Sequence, residues 1–141
     1  MKVREIMTWG IESVQSSNSV HFAAEQMKRL DIGSLAVFEG NRLVGMITDR
    51  DIVIRVVSEE LDPATTQVRK VMSLQPKICR EESEVTEAVK IMEDNHVRRL
   101  FVESNAGKIT GIVTLDDIAL PGEEKLVTEA IREVHHAGPV R

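Results

Sequence analysis

Two short stretches of the sequence carry a hydroxyl and a carboxylate at one fixed spacing: Gly45-Met46-Ile47-Thr48-Asp49-Arg50-Asp51 and Gly111-Ile112-Val113-Thr114-Leu115-Asp116-Asp117. Each ends an apolar run and opens another, so the threonine falls where a strand gives way to a helix. A threonine followed three residues later by an acidic residue is close to a capping box, with aspartate in place of glutamate, and satisfies orphan amides of a first helical turn. The same side chains suit a ligand. An ionised carboxylate accepts from the vicinal hydroxyls of a ribose, a threonine hydroxyl donates to a phosphate, and helix N-terminal amides favour the anion. The two uses are compatible. Capping requires no glycine three residues before the threonine, whereas a glycine inside an apolar strand lets something approach the backbone closely.

Other reactive residues offer less. Cys79 aligns with Val14 at an apolar strand position and reads as a core thiol; being single, it supplies neither an internal disulfide nor a Cys-x-x-Cys pair. His135 and His136 are sequence neighbours, which do not face one way on a helix, so they do not form a two-ligand metal clamp. His21 and His96 are isolated, and Met7, Met27, Met46, Met72 and Met92 read as core filler on apolar faces. The chain shows no Ser-His-Asp set, no flanking carboxylate pair and no phosphate-cradling Gly-Lys-Ser loop. No enzymatic activity, catalytic cofactor or metal is expected.

The elements that must position the two motifs are themselves repeated. At an offset of 65, Val3, Arg4, Met7, Val20, Ala23, Met27, Leu35 and Val37 fall on Val68, Arg69, Met72, Val85, Ala88, Met92, Leu100 and Val102. At an offset of 66, Gly45, Thr48, Asp51 and Ile52 fall on Gly111, Thr114, Asp117 and Ile118. The slip lies between these blocks, in turn-rich sequence that tolerates an insertion. Within each copy, Val20, Ala23, Ala24, Met27 and Leu30, or Val85, Ala88, Val89 and Met92, make one face of an amphipathic helix. Asn18 or Ser19, and Ser83, are available as N-caps. Apolar runs at Leu35–Phe38 and Leu43–Ile47, or Leu100–Val102 and Ile109–Val113, flank a Gly-containing turn and predict two strands. A helix then starts at Asp49 or Leu115, the first running through Val57 before Asp62-Pro63 stops it. The chain divides into repeat 1 with its linker (1–65), repeat 2 (66–120) and a tail (121–141) that Pro121-Gly122 separates. In the tail Glu123–His136 predicts a helix with Leu126, Val127, Ala130, Ile131 and Val134 as its stripe, docking either on its own domain or on a second subunit.

This doubled pattern of Met-Thr/Ser, amphipathic helix, apolar strand and Gly-x-x-Thr-x-x-Asp-Ile resembles a tandem pair of CBS domains, the Bateman module, of the small stand-alone prokaryotic type. The resemblance implies an α/β (α+β) fold of two β-α-β-β-α repeats packed sheet to sheet about a pseudo-twofold axis, plus the C-terminal helix. It also implies clefts between the repeats that take AMP, ADP, ATP or S-adenosylmethionine. Carried over, Thr114 and Asp117 would face Thr8, Ile11, Ile32 and Gly33, while Thr48 and Asp51 would face Ser73, Val97 and Arg98. The aspartates would hold ribose, the threonines phosphate, and aliphatic side chains the purine. Arg98-Arg99 stand where repeat 1 has Gly33-Ser34, so the two sites are not expected to be equivalent. Paired guanidiniums suit a phosphate, or they pair with Glu93, Asp94 or Glu103 at a strand end.

Composition narrows the partners. The 141 residues are 42% hydrophobic and 29% charged, the range of a folded globular chain, and the net charge of −5 is spread over both halves with no basic lobe. Nucleic-acid binding by counterion release therefore has little support. With 3% aromatic residues and no tyrosine, stacking platforms are poorly supplied as well. No apolar run reaches membrane-spanning length, and a lone thiol suits a reducing cytoplasm. Two functions are open: a ligand-sensing regulatory module, with a homodimer of CBS pairs and a separate effector protein expected from the family, or a ligand-free dimeric scaffold with degenerate clefts.

Overall fold

The computed structural model describes residues 1–119 and 124–136. A 3-10 turn at Val3–Glu5 precedes β1 (Thr8–Trp9), β2 (Ser13–Gln15), α1 (Val20–Leu30), β3 (Ser34–Glu39) and β4 (Arg42–Thr48). Next come α2 (Asp49–Ile52), which runs on as a π-helical stretch at Val53–Val57, then α3 (Val68–Val71), β5 (Ser73–Leu74) and β6 (Ile78–Arg80). The chain continues through α4 (Val85–Asn95), β7 (Arg99–Glu103), β8 (Ile109–Thr114), α5 (Leu115–Ala119) and α6 (Glu124–His136). The predicted helices and long strands are present. The two-residue strands β1 and β5 are additions that no periodicity could announce.

The class is mixed α/β, with two four-stranded sheets ordered β2-β3-β4-β5 and β1-β8-β7-β6. In each, the first long strand pairs in parallel with the short strand before the helix and antiparallel with the next, as Val14↔Val37 and Leu35↔Ile47 illustrate, or Cys79↔Val102 and Leu100↔Val113. The edge strands come from elsewhere. β5, which opens repeat 2, pairs with β4 of repeat 1, and β1, which opens repeat 1, pairs with β8 of repeat 2. Packing follows the same rule: Glu12–Pro76 form one compact unit, and Met1–Ile11 join the chain from Lys77 onward in the other. The repeats read from sequence therefore exchange their entry segments in the folded chain.

Each unit has its own core. Val14, Val20, Ala23, Met27, Leu35, Val37 and Ile47 enclose one, completed by Val68 and Val71 from the entry segment of repeat 2. Val85, Ala88, Val89, Met92, Leu100, Val102 and Val113 enclose the other, completed by Val3 and Met7 from the start of the chain. The identical pair Val3 and Val68 thus does the same work in opposite units. Ser19 caps α1, its hydroxyl accepting from Phe22 N at 3.0 Å. The cap of α4 is not Ser83. The helix begins at Val85 and Glu84 takes the cap position, leaving Ser83 one residue too early, where its carbonyl accepts from Val3 N at 2.9 Å.

α6 packs against α4 and α5 within its own unit, with Ala130 and Val134 fully buried and Ile131 against the core. Its stripe is therefore covered in cis at those positions. Pro121-Gly122, Glu123 and the side chains of Leu126, Val127, His135 and His136 lie outside the described residues.

Cys79 is buried beside β7, and burial, with the nearby Glu103 carboxylate adding to it, pushes its thiol from 9.0 up to about 11. That shift lowers the thiolate fraction near pH 8 by about 100-fold, so Ellman's reagent is expected to label the native protein far more slowly than the urea-unfolded chain. Equal rates would contradict the placement. Because the folded thiol keeps its proton to higher pH than the unfolded one, its contribution to stability is intact below pH 9 and is lost as pH rises toward 11.

Candidate functional site

Each motif folds as a reciprocal capping box. Thr48 N donates to Asp51 Oδ2 at 3.0 Å, and Asp51 N donates to Thr48 Oγ1 at 3.1 Å. In the second copy Thr114 N donates to Asp117 Oδ2 at 2.9 Å, and Asp117 N to Thr114 Oγ1 at 3.3 Å. Hydrogen bonding fixes both pairs at the C-terminal end of a strand, where a helix starts. The hydroxyl and carboxylate face the same junction in each.

The motif glycine admits something the spacing alone did not identify. A Cβ on Gly45 would lie 2.6 Å from Ser73 O and 2.8 Å from Met72 Sδ, and one on Gly111 would run into Thr8 O and Met7 Cε. The group that approaches the backbone is thus the chain's own entry strand, β5 on β4 and β1 on β8. The glycine is needed for the exchange of edge strands, and ligand approach is not required to explain it.

The two boxes differ in surroundings. In the 12–76 unit Asp51 is 3% exposed and Thr48 8%. Ser73 Oγ lies 3.3 Å from both carboxylate oxygens of Asp51, and Arg55 Nη1 lies 3.8 Å from Oδ1. Arg55 Nη1 also donates to Val71 O at 2.9 Å and to Met72 O at 3.1 Å. Arg55 was not among the site residues read from the sequence. Its signal was present: it stands four residues after Asp51 in a helical run, the spacing at which opposite charges meet. In the other unit Thr114 and Asp117 are both partly exposed.

Ile32 and Gly33, and likewise Val97 and Arg98, lie where the helix of their own unit turns into the strand beside that unit's own box. α1 stops at Asp31 and α4 at His96, both left-handed with φ of 55° and 54°. Each turn sends the next amide back to the helix, Ile32 N to Met27 O at 3.1 Å and Val97 N to Met92 O at 3.0 Å. The chain then enters the strand beside the box: Asp49 N donates to Gly33 O at 2.9 Å, and Leu115 N to Arg98 O at 3.1 Å. The missing side chain at Gly33 makes room for the Asp49 carboxylate, which stands 3.0 Å from where a Cβ would be. The second copy puts the exposed Arg98 at the corresponding place. The two helix starts thus differ locally, Asp49 packing beside Gly33 in one and Arg98 preceding the bond to Leu115 in the other.

Ser73 thus joins Thr48, Asp51, Ile32 and Gly33 in one unit. The other gathers Thr114, Asp117, Val97, Arg98 and Arg99, with Thr8 paired opposite Ile112 on the neighbouring strand and Ile11 just beyond it. Of the acidic partners considered for the arginines, Asp94 lies 3.5 Å from Lys90 Nζ. Every buried side-chain nitrogen and oxygen among the described residues has a hydrogen-bond partner. Among those residues no group of three or more His, Cys, Asp and Glu converges as a metal site requires, and no helix is long and apolar enough to cross a membrane.

Comparison with known proteins agrees with this architecture. The family model described as CBS domain matches twice, over residues 3–58 and 68–120. Hypoxic response protein 1 of Mycobacterium tuberculosis is 33% identical over 132 residues, covering 93% of this chain and 92% of that protein. A crystal structure of Hypoxic Response Protein I with two coordinated zinc ions superposes with a TM-score of 0.74 at 35% identity, covering 85% of this chain and 98% of that one. A CBS domain protein from Pyrobaculum aerophilum, complexed with AMP, shares the fold with a TM-score of 0.76 at 17% identity, over 94% of this chain and 99% of that one. Two family-model matches spanning most of the sequence, each enclosing one Thr-x-x-Asp box, establish that the chain belongs to the CBS-domain family and carries two CBS domains in tandem.

Proposed function

We propose that the protein is a regulatory CBS pair that senses an adenosine-containing molecule, AMP, ADP, ATP or S-adenosylmethionine. The observation that carries this reading is the partly exposed Thr114–Asp117 box, a hydroxyl and a carboxylate held at a helix start by their own backbone bonds. An aspartate so fixed accepts from a ribose diol, and the threonine hydroxyl donates to phosphate. Thr48 and Asp51 make the corresponding box in the first copy. The remaining lining of the Thr114–Asp117 box follows the family resemblance: Ile32, Gly33, Thr8 and Ile11. The AMP-bound relative from Pyrobaculum aerophilum supports the ligand class.

Regulation then consists of a change in the population of two arrangements of the repeats, or of a homodimer of CBS pairs, read by a separate effector protein in the cytoplasm. A ligand achieves this only through different affinity for the two arrangements. The chemistry asked of the residues is binding alone.

A thermal-shift titration with AMP, ADP, ATP, S-adenosylmethionine and NADH tests the reading. At one hundred times Kd a ligand that binds only the folded chain adds about 2.7 kcal/mol of stability. An adenosine compound is expected to raise the midpoint by several degrees, and the absence of any shift across the panel would remove the basis for this function.

A further inference from the structure

The carboxylates of the two boxes differ in what they already hold. Asp51 is buried, accepts from Thr48 N, has Ser73 Oγ within 3.3 Å of both oxygens and has the Arg55 guanidinium 3.8 Å from one of them. A carboxylate has about four acceptor directions, and an amide, a hydroxyl and a guanidinium compete here for those that a sugar diol needs. The same guanidinium donates to Val71 O and Met72 O, so it also ties the α3–β5 entry segment down beside β4. In the second copy the repeat places Thr8 opposite Ser73. Thr8 is exposed. Asp117 is partly exposed, and among the described residues its side chain bonds only Thr114 N.

We infer that the two boxes have divided their work. The first is a structural latch: Arg55 and Ser73 occupy Asp51 and fasten the exchanged entry segment. Only the second keeps a carboxylate open to a ribose, so the full chain takes one adenosine-containing ligand and not two. The ligand half rests on the function proposed above, whereas the latch half stands on the hydrogen bonds alone.

Titration calorimetry with AMP and differential scanning calorimetry, on the wild-type chain, Asp117→Asn and Arg55→Gln, separate the two halves. Wild type is expected to bind one AMP per chain, and Asp117→Asn to lose AMP binding by at least tenfold while melting within a few degrees of wild type. Arg55→Gln is expected to melt about 4 °C lower or more and to keep its AMP affinity within threefold. Two AMP per chain in wild type, or one AMP bound with unchanged affinity by Asp117→Asn, would overturn the division of work. An unchanged melting point in Arg55→Gln would overturn the latch. If neither the wild type nor a variant binds AMP, ADP, ATP or S-adenosylmethionine titrated in the same way, the ligand half fails together with the proposed function, and the melting points still decide the latch.

Discussion

Adding a single methyl group at Gly111 is expected to cost about 3 kcal/mol or more and to free the β1 segment from its sheet. The new Cβ would overlap the Thr8 carbonyl and the Met7 methyl, and the first of these is backbone, which has no rotamer to move into. Relief requires β1 to withdraw from β8, breaking the Thr8↔Ile112 and Trp9↔Gly111 pairing and pulling Met7 and Val3 out of the core they complete. Overpacking in a well-filled interior typically costs 1–3 kcal/mol, and the loss of buried valine and methionine contacts adds to it. Calorimetric melting of Gly111→Ala, with limited proteolysis near the amino terminus, measures the effect. Gly45→Ala is expected to act in the same way on β5, through Ser73 O at 2.6 Å and the more yielding Met72 Sδ. A Gly111→Ala protein that melts with wild type and resists the protease would contradict the edge-strand assignment.

Replacing Asp51 with alanine is expected to destabilise the chain by about 3 kcal/mol, against about 1 kcal/mol for Asp117→Ala. The difference follows from burial and from partners. Removing Asp51 leaves the buried Thr48 amide without its acceptor and the Ser73 hydroxyl and Arg55 guanidinium without their anion. Orphaning buried donors costs more than losing a partly exposed contact, and a partly exposed capping residue contributes near the lower figure. Urea denaturation of the two variants compares them directly, and equal losses would contradict the asymmetry of the boxes.

Much of the fold was legible because it is written in local periodicity. The faces of α1 and α4, the paired long strands and the starts of α2 and α5 each need only the residues inside them, and the repeat supplied every assignment twice. The capping boxes were legible for the same reason. What escaped the sequence is non-local. A two-residue strand such as β1 has no period, and its partner β8 is about a hundred residues away. The exchange of entry segments therefore could not be read from the repeat, which aligns Val3 with Val68 but does not say that each completes the other copy's core. The motif glycine marks a close approach, as its place in an apolar strand implies, but the approaching group is the chain's own entry strand and not a ligand, so the glycine does not favour ligand binding over capping. Ser83 was passed over as a cap because the helix begins one residue later than its spacing required.

The candidate site was legible as a set of residue types and not as a set of states. Thr48 with Asp51 and Thr114 with Asp117 have the same spacing, yet one carboxylate is enclosed by Ser73 and Arg55 and the other is partly exposed. Arg55 decides this difference from four residues away, and it lies in a stretch that widens to a π-helix instead of continuing as the regular helix the sequence predicts. The acidic Asp49 beside Gly33 and the basic Arg98 before Leu115 add a second asymmetry of the same kind.

Equilibrium dialysis of the full chain against labelled AMP, repeated with ADP, ATP and S-adenosylmethionine, measures moles of ligand held per mole of protein and bears most directly on the proposal that this CBS pair senses an adenosine compound. Saturable binding that levels off at one ligand per chain, and that disappears in Asp117→Asn, is the result predicted. No saturable binding of any adenosine compound, or binding that Asp117→Asn leaves intact, would contradict it.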